Sequence, residues 1–166
     1  MKKSSYCILA LLALVSLPVV FTSCGGSNDD DDESVVDSKN TKIEVSFSGD
    51  YSKFVPIVSF YAFDMVGKGM TLQTAEGTKE TSWTKSYEDA PFSSVAAEVN
   101  DYFSNFNAAI LMVNYNNETG HITITGKVYY DGKLYRTDTQ EVEFEAGKQG
   151  VAYTYTPRDG FVISLD

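Results

Sequence analysis

Histidine, cysteine and basic charge are all scarce in this chain. His121 is the one histidine among 166 residues, and Cys7 and Cys24 are the two cysteines. Imidazole and thiolate are the usual zinc ligands, so no zinc set can be assembled, and no metal or cofactor is expected. A Ser-His-Asp or Cys-His arrangement would have to use His121, yet no G-x-S-x-G surrounds any serine. His121 follows Gly120 at the start of a strand pattern and reads as an exposed strand-edge histidine. Lys and Arg number 13 against 23 Asp and Glu, a net charge of −10. Nucleic-acid surfaces need basic clusters to displace phosphate counterions, so nucleic acid is excluded as a partner. Gly67-Lys68-Gly69 is too short for a phosphate loop and lacks its G-K-[ST] ending.

Oxygen ligands are better supplied. Asn114, Asn116, Asn117 and Glu118 precede Gly120, and calcium takes such ligands. The patch holds one carboxylate, and Asn-rich segments before Gly make ordinary turns, so a turn is expected.

The N-terminus carries an address. Lys2 and Lys3 precede a mostly apolar stretch from Cys7 to Phe21, followed by Thr22-Ser23-Cys24. Basic start, short apolar run and small residues before a cleavage point make a secretory signal. The stretch is short for a membrane span, which needs about 20 residues. Phe21-Thr22-Ser23-Cys24 resembles the lipobox of bacterial lipoproteins, with Phe21 where leucine is commonest. The resemblance implies cleavage before Cys24 and lipid on its thiol. Ser27, Asn28, Asp29, Asp30, Asp31, Asp32 and Glu33 then form an acidic run that cannot pack and should stay solvated. It resembles the export signal of Bacteroidota lipoproteins, which implies an outer-membrane anchor with the domain facing the cell exterior.

The expected organisation is a signal peptide over 1–23, an acidic flexible tether over 24–40 and one β-rich domain over 41–166. The tether would reach roughly 20–25 Å. With Cys7 removed and Cys24 acylated, the domain has no thiol, so its stability rests on an apolar core.

Twenty-two aromatics, eleven of them Tyr and ten Phe, favour strands. Ile43, Val45 and Phe47 alternate with polar residues as a half-buried strand does. Val55–Phe63 and Ala108–Val113 are apolar on both parities, as central strands are. Asp131-Gly132 marks a hairpin whose return strand needs a bulge. The register puts Val128 opposite Tyr135 for a two-residue loop or Leu134 for a three-residue one. Phe92, Val95, Ala96, Val99, Tyr102, Phe103 and Phe106 fall at helical spacing after Asp89 and Pro91, which predicts a helix near 92–105. The sum is a mainly β fold, an antiparallel β-sandwich (Ig-like or similar) of about 8–10 strands with that one helix. A lipocalin-like up-and-down barrel is the alternative.

Trp83 and Tyr87 share a strand face and are the candidate ligand-binding aromatics. Their strand has nothing apolar on its opposite face, so core packing is expected of them before a sugar platform. Tyr61, Tyr129, Tyr135 and Tyr153 could add to an aromatic patch. The reading is a surface-anchored, non-catalytic binding domain with a glycan or protein ligand. A structural accessory subunit of an outer-membrane complex and a small secreted hydrolase are the alternatives. Seventeen acids in the domain always offer carboxylate pairs, whose separation the sequence hides.

Overall fold

The computed structural model describes residues 40–100 and 105–165. The expected signal peptide, the lipid site expected at Cys24 and the acidic run lie outside the described residues. Strand β1, Thr41–Gly49, turns Thr41, Ile43, Val45 and Phe47 inward, the alternation expected of a strand wet on one side. A short 3-10 turn, Tyr51–Lys53, leads into β2, Val55–Phe63. Then come β3, Thr71–Thr74, β4, Gly77–Glu80, and β5, Ser82–Ser86. Next are β6, Ser94–Val99, and β7, Asn105–Val113. The chain ends in β8, Gly120–Tyr130, β9, Lys133–Phe144, β10, Gly150–Thr156, and β11, Gly160–Leu165.

Two antiparallel sheets form an open sandwich. One is ordered β4-β3-β6-β1-β8-β9, the other β11-β10-β7-β2-β5. Each sheet ends in free edge strands, so the barrel alternative is not what the chain adopts. The inner faces supply one core, with Tyr155, Phe54, Phe60, Phe106, Ile43 and Leu72 fully buried in it. The central strands read as apolar on both parities are β2 and β7, paired from Val55↔Val113 to Phe63↔Asn105.

Two expectations need correction. No helix forms near 92–105: residues 94–99 are β6, residue 105 begins β7, and residues 101–104 lie outside the described ones. Val95, Ala97 and Val99 are buried while Ala96 and Glu98 are only half-buried, a period of two. Val95 and Val99 satisfy both periods, and β-branched side chains fit a pleated surface better than a helix. Among the described residues the strands number eleven rather than eight to ten, because β6 stands where the helix was expected and β4 pairs with β3 as a hairpin of its own.

The register at Asp131-Gly132 matches neither option. The two residues, at φ 47° and 76°, make a two-residue turn that sets Tyr130 opposite Lys133. Tyr129 faces Leu134, and Val128 then faces Arg136, so Tyr135 is the extra residue of the expected bulge.

Candidate functional site

The half of the sandwich edge beside β6 is incomplete. β3 pairs with β6 only from Leu72↔Val99 to Thr74↔Ala97, and then turns away through Ala75-Glu76 into β4. Ser94, Val95 and Ala96 therefore continue with no neighbour on that side. Across the gap lies β5 of the other sheet, carrying Trp83 and Lys85. The result is a cleft of about 510 Å³, with Phe92 at one end and the Ala75-Glu76 turn at the other. That volume falls within the range of small-ligand sites.

Three side chains hold its floor. Trp83 stacks on Phe60 with ring centroids 5.9 Å apart and planes 14° apart. Its indole N–H donates to Glu76 Oε2 at 3.2 Å, and Lys85 Nζ pairs with Oε1 of the same carboxylate. The Lys85 ammonium, and after it the Trp83 N–H, hold the Glu76 carboxyl below the usual carboxylate range. Trp83 is 8% exposed, so it serves the core and offers the cleft only an edge. Tyr87 is half-buried in a separate ring of aromatics, which runs from Tyr87 through Tyr51, Phe47 and Phe92 back to Tyr87 at centroid distances of 6.0 to 6.2 Å. The structure thus places Trp83 and Tyr87 in packing roles, Trp83 against Phe60 and Tyr87 against Tyr51 and Phe92.

The other candidates are scattered. Tyr153 faces the core and Tyr135 protrudes at the bulge, packed on Tyr130 at 4.8 Å. Tyr129 lies under Lys42 Nζ at 5.1 Å, and Tyr61 is buried on the opposite sheet. They form no common patch. His121 is exposed as expected, but β8 is an interior strand, so it stands on a sheet face. Its Nε2 lies 2.8 Å from Glu141 and 3.7 Å from Glu143. The Asn-rich segment is a turn built on Asn114. That buried amide donates to the Glu118 and Lys148 carbonyls and accepts the Glu118 N–H, so its polar atoms serve the backbone. Among the described residues no group of three His, Cys, Asp or Glu is arranged to hold a metal.

At the opposite edge the sheets are clasped. Arg136 grips Asp138 through Nε at 2.6 Å and Nη2 at 2.9 Å, and Tyr155 donates its hydroxyl to Asp138 Oδ2 at 3.0 Å. Arg136 Nη1 also donates to the Arg158 carbonyl. Arg136 and then the Tyr155 hydroxyl pull the Asp138 carboxyl below its ordinary range. Burial first, and then Asp138, push the Tyr155 phenol well above its own. This edge is closed by its polar network, whereas the β6 edge is open. Sequence reasoning missed the cleft because its wall, Ser94–Ala96, read as helix.

No protein-family model and no curated protein matches this chain. Three solved structures are similar. A DUF4425 family protein from Bacteroides ovatus superposes with a TM-score of 0.61 at 15% identity, over 74% of this chain and 98% of that one. A DUF4425 domain of unknown function from Bacteroides vulgatus gives 0.57 at 18%, over 78% and 98%. A protein from Parabacteroides distasonis, solved by NMR in a calcium-bound form, gives 0.49 at 18%, over 75% and 99%. The likeness to the two DUF4425 structures shows a shared β-sandwich fold.

Proposed function

We propose that this chain is a lipid-anchored outer-membrane protein facing the cell exterior, whose sandwich binds a glycan or protein ligand without turning it over. The lipobox-like Phe21–Cys24 and the acidic run behind it support the anchor and its orientation. Two or more acyl chains on Cys24 would give firm attachment, each buried CH₂ contributing about 0.8 kcal/mol. The observation that carries the binding reading is the cleft beside β6, roomy enough for a ligand and lined by both apolar and charged groups. Glu76 is unsuited to be the acid of a glycoside hydrolase. A general acid needs a raised pKa, and Glu76 is held in the opposite direction by Lys85 and Trp83. A tether would raise the effective concentration near other membrane-held molecules, so a weak contact could suffice.

A structural accessory subunit is the second reading, and β11 favours it. This free edge strand exposes Val162 and Ile163, an unguarded edge that another chain could extend.

Fractionation and ligand mapping test the proposal together. Cys24→Ala should leave the protein soluble or uncleaved. Replacing Asp29 to Asp32 with Ala should keep the lipid but shield the domain from protease added to whole cells. Retention of cleaved Cys24→Ala in membranes would overturn the anchor, and unchanged protease sensitivity would reduce the acidic run to a linker. Reproducible hydrolysis of a glycoside, ester or peptide, abolished by one acidic substitution, would overturn the binding reading.

A further inference from the structure

We infer that the cleft takes an extended peptide segment as an added strand beside β6; this rests on the binding reading and names its ligand class. The Phe47 N–H donates to the Ser93 carbonyl at 2.8 Å, so Ser93, Val95, Ala97 and Val99 turn their backbone groups toward β1. Ser94, Ala96 and Glu98 turn theirs the other way, because the direction alternates along a strand. Glu98 meets Gln73 of β3 there. Pairing with β3 ends at Thr74↔Ala97, which leaves the Ser94 N–H and C=O facing the cleft with no strand partner. The positions from Ser94 to Ala96 span about 7 Å, and a strand seated beside them would lie about 4.8 Å away, in line with β3.

Side-chain chemistry points the same way. The edge strands β9 and β4 carry charges that discourage pairing: Lys133, Arg136, Asp138, Glu141 and Glu143 on one, Lys79 and Glu80 on the other. Ser94-Val95-Ala96 has small, uncharged side chains and no proline, so nothing guards it. A guest residue opposite Val95 would point inward, onto the edge of Trp83 and the stem of Lys85, and should be apolar. Its two neighbours would point outward and could be polar. A sugar stacked on the indole is the weaker fit, since Trp83 is 8% exposed and its ring face is taken by Phe60. Strand addition needs main-chain groups for affinity and one pocket for specificity, and the cleft offers both.

The test is a display library of random peptides selected against the full chain, beside a panel of neutral oligosaccharides. Selected peptides are resynthesised with single N-methylated backbone amides. Ser94→Pro serves as the matching protein variant. Its missing N–H is one that β1 does not use, so the fold should survive, and Trp83 fluorescence checks that it does. The expected result is peptide binding that one N-methyl group, or Ser94→Pro, weakens about tenfold or more. Binders indifferent to both changes, or no peptide binder at all, would overturn the inference. An oligosaccharide that binds the cleft in their place would overturn the peptide class and leave the binding reading standing. Ligands that bind only elsewhere would overturn both.

Discussion

Gly126 lies in the middle of β8 on its inner face, opposite Asp138 of the clasp, and only a glycine fits there. An alanine Cβ at this position would lie 2.5 to 2.8 Å from three atoms of the Tyr155 ring. The backbone itself would accept alanine, since φ is not positive. Taken alone, replacing glycine in a strand stabilises by about 0.5–1 kcal/mol, through a less disordered unfolded chain. The clash opposes this. Tyr155 is fully buried, and moving its ring overpacks the core at a cost of about 1–3 kcal/mol. It also pulls the hydroxyl from the Asp138 carboxylate, a bond to a charged group that contributes about 1.5–3 kcal/mol. Gly126→Ala should therefore destabilise by about 2–4 kcal/mol. Urea unfolding followed through the single Trp, Trp83, measures this directly. Tyr155→Leu removes the ring that the new methyl would strike. In that background Gly126→Ala should cost at least about 1 kcal/mol less. A neutral Gly126→Ala, or strict additivity of the two changes, would show that the Tyr155 ring does not exclude a methyl group at this position.

Three further outcomes are expected. The Tyr155 phenol is raised above its unfolded value of about 10. Its contribution is therefore intact below that pH and lost as pH climbs beyond it, and Tyr155→Phe should flatten that alkaline slope in urea titrations. Asn114→Ala strips two bonds to the Glu118 backbone and one to the Lys148 carbonyl, and should lower stability by about 2–3 kcal/mol, read as a fall in the urea midpoint. The thermal midpoint should not move with EDTA or with reductant, and a large drop with EDTA would make the Asn114–Glu118 segment a calcium site after all.

Much of the sandwich was legible because one periodicity dominated each segment. β1 alternates strictly, β2 is apolar apart from Ser59 and β7 is apolar from Ala108 onward, so their places as one-sided and central strands followed from pattern alone. The Asp-Gly turn was equally plain, and the bulge behind it was inferred from the parity of Leu134, Val142 and Phe144. Tyr135 was not identified as the bulged residue, because a bulge is placed by what lies across it: here Arg136 and Asp138 must turn inward together to reach the Arg158 carbonyl and the Tyr155 hydroxyl. β6 failed for a different reason. Val95 and Val99 fit a helix as well as a strand, and Asp89 and Pro91 supplied start signals for a helix. Pairing with β1 and β3, which no local window contains, decided the outcome. The cleft was invisible for the same cause, since it exists only where β3 leaves β6. Trp83 was read correctly as a core residue from the polar opposite face of its strand, but its bond to Glu76 depends on the β3–β4 turn folding back.

Amide hydrogen exchange along β6, with and without a selected peptide, addresses the central claim that the cleft receives a strand. Ser94 and Ala96 point into the cleft, while Val95 and Ala97 already serve β1. A seated peptide should slow exchange at Ser94 and Ala96 and leave Val95 and Ala97 as they were. Equal slowing along the whole strand, or slowing confined to another part of the sandwich, would contradict that claim.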